Sequence, residues 1–285
     1  MRRAGDLFDQ MAAAFHACGI EAPEVEAAAM LAELRSCGRA AARTERDVEL
    51  DEAMWTRGLD AMTRRCRYEP WQYIFGSAYF RDLALTVTPA VLIPRPETEL
   101  LAQNCIDTLP ENGAVLDLGT GSGAVALAVA TERPDSVVTA SDVSPAALEV
   151  AQANGAVIAP GRVEFLLSDL FAALAGRKFD WIAANLPYVT EAEYRTLDPT
   201  VREYEPKLAL TSGADGLDLI RRTVREACRY LTGNGKIMLE LAPDQALPVA
   251  ELFCAELRYQ AIEILKDDTG RDRFVAARPR LPSGR

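Results

Sequence analysis

The chain reads as an α/β protein, a mostly parallel seven-stranded sheet with an antiparallel edge strand, joined to a small N-terminal helical domain. Three observations predict this. From about Ala114, short apolar runs alternate with segments of helical spacing, the pattern of a parallel sheet covered on both faces. The glycines of Gly119-Thr120-Gly121-Ser122-Gly123 stand between one such run and a helix. Residues 1–75 show helical spacing and no strand signal.

Taken in order, Leu7, Met11, Ala14 and Phe15 recur on one helical face. Pro23 suits the first turn of a second helix, which runs to about Cys37 before Gly38 closes it. Asp51 can cap a third helix through about Arg65. Pro70 then opens a short turn, Trp71–Phe75, ended by Gly76. No catalytic constellation falls in residues 1–75, which are expected to serve recognition or packing. Residues 76–93 change period. Ala78–Phe80 and Leu83–Val87 read as two strands joined at Arg81-Asp82, a hairpin linking the domains.

Residues 94–285 form the expected catalytic domain. Leu92-Ile93-Pro94-Arg95-Pro96-Glu97-Thr98-Glu99 leads into it. Each proline biases the residue before it away from helix, and the two glutamates suit a helix start. A plain linker would explain the cap but not Arg95 wedged between two prolines. Strands are predicted near 114–118, 137–141, 163–167, 179–184, 236–241, 259–265 and 273–277. Helices are predicted near 98–108, 123–132, 145–154, 215–230 and 244–256. The short connection Lys266–Asp272 makes the last two strands antiparallel. The tail Arg278–Arg285 is expected to be loose.

Composition excludes several classes. No apolar run approaches the roughly 20 residues that cross a bilayer, and no signal-peptide core is seen, so a cytoplasmic protein is expected. Six scattered cysteines without a CxxC pair, and a single histidine, His16, argue against zinc, a disulfide framework or histidine catalysis. The cysteines read as buried free thiols. A net charge of −11 opposes a nucleic-acid grip, and the arginines between Arg35 and Arg67, mixed with acids, read as a solvated helical surface.

The glycine loop differs from the dinucleotide fingerprint, whose third glycine comes one position later. Asp117 just before it suits an ammonium rather than a pyrophosphate. Asp142, with Val143 beside it, ends the next strand, where a carboxylate can accept ribose hydroxyls. Asp169 ends the third, where it can reach an adenine amino group while Leu170 or Phe171 packs on the ring. Together with Gly119, Thr120, Gly121 and Gly123, this acidic ring disfavours phosphate and favours S-adenosylmethionine, an ammonium and a sulfonium in one molecule. No metal is implied. The apolar run Phe179–Ala184 then stops at Asn185-Leu186-Pro187-Tyr188, which puts an amide, a restricted backbone and an aromatic ring at the same sheet edge.

These stretches carry a resemblance that runs almost end to end. Its strings are Tyr73-Ile74-x-Gly76-x-x-x-Phe80, Pro94-Arg95-Pro96-Glu97-Thr98-Glu99 and Asp117–Gly123. Tyr204-Glu205-Pro206-Lys207-Leu208-Ala209-Leu210, Gly213-x-Asp215-Gly216-Leu217, Leu239-Glu240 and Asp268-x-Gly270-Arg271-Asp272-Arg273 complete them. The chain resembles the HemK-type protein-(glutamine-N5) methyltransferases, Rossmann-like class I enzymes that modify a glutamine of peptide chain release factors. The resemblance implies a release factor as partner, and Asn185, Leu186, Pro187 and Tyr188 as the catalytic corner. The Asn185 oxygen and the Leu186 carbonyl would accept both hydrogens of the target amide, and Asn185 would also touch the donor. Arg95, Glu97, Thr98, Tyr188 and Glu205 are the candidate substrate contacts.

The chain departs from the family at Leu186, where an Asn-Pro-Pro-Tyr corner has its first proline, and near Ala242, where a glycine is usual. Leu186 favours an alternative on the same scaffold, methylation of a small molecule at a ring nitrogen or carbon. A nucleic-acid adenine methyltransferase shares the Asn-x-Pro-Tyr corner but is opposed by the charge and by the Pro-Arg-Pro-Glu-Thr-Glu string. A non-catalytic binding module would not need the cofactor residues. Oligomeric state has no signature in the sequence.

Overall fold

The computed structural model describes residues 2–280. The chain divides into two compact units, one running to Gly76 together with Asp198–Tyr204, the other comprising Ser77–Leu197 and the residues from Glu205 onward.

The first unit is helical: α1 (Ala4–Ala17), α2 (Pro23–Arg35), α3 (Arg39–Thr44), α4 (Glu52–Arg65), α5 (Trp71–Phe75) and, later in the chain, α10 (Pro199–Arg202). Leu7, Met11, Phe15, Met30, Leu31 and Leu34 fill its core. Asp51 caps α4, its Oδ1 accepting from Met54 N at 2.7 Å. A Cβ on Gly58 would lie 2.5 Å from Leu7, so α4 carries glycine where α1 crosses it. The six-residue α3 is too short to show a period. Tyr204 donates to Arg67 O at 2.7 Å, tying 198–204 to this unit. The arginine cluster is less solvated than its composition suggests. Arg65 is buried and pairs with Glu26 at 2.9 Å, and Arg35 pairs with Glu45 at 2.6 Å. His16 lies on the exposed side of α1. Of the cysteines only Cys105 is buried; Cys254 is exposed and the rest lie between, which corrects the buried-thiol expectation.

In the second unit, β1 (Ser77–Phe80) and β2 (Leu83–Thr86) make the antiparallel hairpin, turning at Arg81 with φ of 52°. Phe80 and Leu85 pack into this unit's core beside Leu101, Val115 and Trp181. Among the described residues a seven-stranded sheet follows, formed by β3 (Ala114–Leu118), β4 (Val137–Asp142), β5 (Val163–Leu167), β6 (Phe179–Ala184), β7 (Leu231–Glu240), β8 (Tyr259–Lys266) and β9 (Asp272–Pro279), in the order β5-β4-β3-β6-β7-β9-β8. Strands β3 to β7 pair in parallel; β9 runs against both β7 and β8. The reversed strand thus lies one place in from the edge, because β8 takes the outside position and the chain turns back between it and β7. β9 continues to Pro279, so the expected loose tail does not begin at Arg278; its last five residues lie outside the described residues.

Helices α6 (Pro96–Thr108), α7 (Ala124–Glu132), α8 (Pro145–Ile158), α11 (Asp218–Ala227) and α12 (Ala246–Ala255) accompany the sheet, with a short α9 (Glu191–Tyr194). Alternate residues face two cores. Leu116, Leu118, Ile182, Ala184, Ile237 and Leu239 belong to one; Val115, Trp181, Ala183 and Met238 belong to the other. Both faces are therefore dry, as parallel sheets require. The chain leaves β3 outward to β4 and β5, then returns to β6 on its other side. That reversal is the switch point at which such sheets bind ligands. Leu118 is the register partner of Ala184, so the glycine loop and Asn185 leave the sheet side by side. No helix among the described residues is long and apolar enough to cross a membrane.

Candidate active site

A cavity of about 330 Å³ opens at this switch point, wholly within the second unit. The glycine loop forms one wall. Gly119 and Thr120 donate their N–H groups to Ser141 O at 2.8 and 2.9 Å, binding the loop to the end of β4. Gly119 and Gly121 have φ of 79° and 56°, which a side chain resists. Gly121 N donates to Asp142 Oδ2 and Ser144 N to Asp142 Oδ1, each at 2.9 Å. Asp142 thereby clamps the loop to the next strand. Its carboxylate has lone pairs to spare, and it lines the cavity beside the half-exposed Val143. Gly123 opens α7 outside the cavity lining.

Asp117 is only 3% exposed. Thr120 Oγ1 and Ala126 N both donate to its Oδ2, at 2.6 and 3.0 Å, so that oxygen secures the start of α7 while the residue lines the cavity. Burial pushes its carboxyl up to about 6; the two hydrogen bonds pull it down, and the charge of Asp142 adds to the rise. Asp169 lines the cavity rim but is exposed and pairs with Arg222 at 2.9 Å. Leu170, at φ of 47°, reaches the cavity. Phe171 does not: it stacks on Tyr230 at 4.5 Å in the core, so of the two candidates for packing on a ring the structure leaves Leu170.

The adjoining wall is the Asn185 corner. Asn185 Nδ2 donates to Thr98 Oγ1 at 3.0 Å, and Asn185, Leu186 and Pro187 all line the cavity. Leu186 is 5% exposed and packs in the sheet core. Tyr188 turns away from the cavity. Its hydroxyl accepts from Arg273 Nη2 at 3.0 Å, and its backbone carbonyl accepts from Gln245 Nε2 at 2.8 Å. Tyr188, a candidate substrate contact, is absent from the lining of this cavity, and these two bonds anchor the corner from behind.

The other candidate substrate residues divide similarly. Arg95 and Thr98 line the cavity, whereas Glu97 and Glu205 do not. Glu205 is a buried clamp, accepting from Arg95 at 2.6 Å and from Ile93 N at 3.3 Å. Glu97 faces Arg271 at 3.6 Å, and Glu99 accepts from Arg81 N at 2.9 Å. Each polar residue from Arg95 to Glu99 thus holds a partner distant in sequence. Sequence reasoning gave no role to Glu240, Arg273 and Gln245, which support the corner from behind, or to the exposed Leu208, which joins the cavity lining. A charge ending the apolar run Ile237–Leu239 was the available signal for Glu240. No cluster of three metal-ligating side chains occurs among the described residues.

Chemically, the cavity presents hydrogen-bond acceptors beside an apolar lining, and its one arginine is already engaged by Glu205. Such a site suits a cationic ligand.

Residues 6–76 match the family model for the PrmC N-terminal domain, and residues 96–203 that for the methyltransferase small domain. A release factor glutamine methyltransferase of Deinococcus radiodurans is 39% identical over 278 residues, covering 96% of this chain and 97% of that one. Its counterpart in Koribacter versatilis is 37% identical over 274 residues, covering 95% and 96%. In structure, the Thermus thermophilus 16S rRNA N2 G1207 methyltransferase, solved with AdoMet and guanosine, matches the fold with a TM-score of 0.53 at 22% identity, over 72% of this chain and 50% of that one. On its identity and near-complete overlap with these relatives, the chain belongs to the family of release factor glutamine methyltransferases.

Proposed function

We propose that the chain transfers a methyl group from S-adenosylmethionine to the side-chain amide nitrogen of a glutamine in a peptide chain release factor, in the cytoplasm. The observation that carries this reading is Asn185. With Nδ2 directed to Thr98, the amide oxygen is the end left to receive a donor, and Asn185 lines the same cavity as the glycine loop beside it. A glutamine amide brings two N–H donors, and the Leu186 carbonyl supplies the second acceptor.

The residues present fit the donor. The buried Asp117 suits its ammonium, Asp142 its ribose hydroxyls, and Leu170 its base, and the free space above Gly121 leaves room for backbone approach. When bound, S-adenosylmethionine supplies an electrophilic methyl carbon on sulfur. The chain supplies orientation: an amide nitrogen is a poor nucleophile because its lone pair is delocalised. Holding both N–H bonds aligns that nitrogen and stabilises the positive charge that grows on it. No general base is needed before attack, since the proton leaves after nitrogen becomes cationic. The helical unit is assigned the recognition of the protein substrate, in keeping with its own family match.

Leu186, the feature that favours a small-molecule acceptor, lines the cavity but is 5% exposed and packs in the sheet core, so the near-complete overlap with release factor glutamine methyltransferases supports the protein acceptor instead. The test is methyl transfer from labelled donor to purified release factor, with the site located by peptide mass spectrometry. Label on a glutamine of the release factor supports the reading; label appearing only on small-molecule acceptors overturns it.

A further inference from the structure

We infer that Leu208 determines specificity for the acceptor side chain: it packs on the methylene stem of the target glutamine and so selects glutamine over asparagine. This rests on the reading that Asn185 and the Leu186 carbonyl receive the acceptor amide. Among the described residues, two exposed large apolar side chains line the cavity. Val143 follows Asp142, the residue that fits the donor's ribose. Leu208, 61% exposed, belongs to a strap tied to the acceptor residues.

Both ends of that strap are fixed. At its start Glu205 accepts from Arg95 Nη2 at 2.6 Å and from Ile93 N at 3.3 Å, on the segment that leads into α6. At its end Leu210 O accepts from Val189 N at 2.9 Å and Ser212 N donates to Val189 O at 3.1 Å, on the chain that leaves the Asn185 corner. Between these ties Lys207–Ala209 make a single 3₁₀ turn, with Ala209 N donating to Pro206 O at 2.9 Å and Leu210 N to Lys207 O at 3.0 Å. Lys207 is drawn to Glu191 at 2.9 Å and to the ring of Tyr194 at 5.1 Å, while Pro206, Leu208 and Ala209 line the cavity.

Glutamine is a polar amide carried on two methylene groups. With the amide seated at Asn185, the methylenes need an apolar surface, and contact with an exposed leucine takes both partners out of water. A leucine on a strap held at both ends keeps its place as the stem arrives. An asparagine is one methylene shorter, so seating its amide in the same place draws its backbone deeper, against Leu208.

The test compares wild type with Leu208→Ala, which removes the contact, and Leu208→Met, which keeps an apolar chain; at so exposed a position neither disturbs the fold. The first readout is binding of glutamine and of asparagine, each capped as the N-acetyl N-methylamide, to the full chain saturated with S-adenosylhomocysteine, followed by NMR titration. Leu208→Ala should weaken the glutamine ligand about fivefold, leave the asparagine ligand unchanged or tighter, and keep S-adenosylhomocysteine affinity, with Leu208→Met near wild type. The second readout is kcat/KM on release factor and on a release factor whose target glutamine is replaced by asparagine. The preference for glutamine should narrow about tenfold in Leu208→Ala. An unchanged preference in Leu208→Ala overturns the inference, and so does a wild type that binds the two capped ligands alike. A loss of S-adenosylhomocysteine affinity equal to the loss for glutamine overturns it too, by placing Leu208 against the donor. A wild-type enzyme that leaves release factor unmodified would overturn the proposed function, while the capped ligands still decide the role of Leu208.

Discussion

Leu186 sits over Gly119 so closely that a Cβ on the glycine would lie 3.0 Å from Leu186 Cδ2. The one residue at which the acceptor corner leaves its family pattern is therefore also a packing partner of the glycine loop. The two walls of the cavity are mechanically joined there.

This contact predicts a coupling. Gly119→Ala alone should cost about 2 kcal/mol, from the left-handed φ and the crowding against Leu186. Leu186→Ala alone should cost about 2–3 kcal/mol for a buried leucine beside a cavity. Together they should cost at least 0.5 kcal/mol less than the sum, because removing the leucine relieves the crowding. Urea denaturation of the four proteins measures this, and strict additivity would show that the contact is not felt.

Asp117 predicts a pH dependence of donor binding. Its carboxyl is raised from 3.8 to about 6, chiefly by burial, so it is mostly neutral below that pH and ionised above it. An ammonium is attracted to the ionised form. Affinity for S-adenosylmethionine should thus be full near pH 7.5 and fall by up to about tenfold per unit below pH 6. The stability effect has the opposite sense: the folded state holds this proton more tightly than the unfolded chain, so the contribution of Asp117 declines as pH rises from about 4 to about 6. Calorimetry on wild type and Asp117→Asn from pH 5 to 8 separates the two. The variant should bind weakly with a flat profile in this range; a wild-type profile equally flat would remove Asp117 from the ammonium site.

The positions of the motifs were more legible than their roles. Most strand runs, the glycine loop and the Asn185 corner lie where the apolar runs put them, since burial on both faces of a parallel sheet writes itself as long apolar runs. By contrast β7, expected near 236–241, already begins at Leu231 in a polar stretch that gave no strand signal. Tyr188 and Phe171 lie outside the cavity lining because an aromatic ring at a strand end has two sides to turn to. The choice was made by Arg273 and Tyr230, partners 85 and 59 positions away along the chain. Arg95 and Glu205 are each other's partners, 110 positions apart. They looked like substrate contacts because a charge in a motif carries no mark of whether its countercharge belongs to a ligand or to the fold.

That pair can now be tested as a clamp. Glu205 has 1% of its side chain exposed and Arg95 30%, at 2.6 Å. Glu205→Ala should destabilise by about 1–3 kcal/mol, below the full cost of breaking a buried pair because Arg95 can reach water. Since Glu205 also accepts from Ile93 N, Arg95→Ala should cost less than Glu205→Ala. Thermal unfolding ranks the two; the reverse order would argue that Arg95 has another partner.

Gly216 predicts the largest effect. It has φ of 75°, and a Cβ there would lie 2.0 Å from the Tyr188 carbonyl oxygen, closer than any contact can hold. That carbonyl is the one Gln245 Nε2 grips at 2.8 Å, so a methyl group at 216 would push the corner off its support. Gly216→Ala should therefore cost about 3 kcal/mol or more, through left-handed strain, collision and the broken Gln245 bond acting together. The displacement is transmitted to Asn185, three residues before Tyr188, whereas the three atoms nearest the added Cβ belong to Tyr188 and Gln245 and not to the glycine loop. Turnover should fall by about 100-fold in protein that remains folded at low temperature, with donor affinity changed by less than about threefold. Gln245→Ala removes only the grip and should reproduce the loss of turnover in milder form. Wild-type turnover in Gly216→Ala would mean that the corner does not depend on its support, and a loss of donor affinity equal to the loss of turnover would mean that the damage reaches the whole cavity.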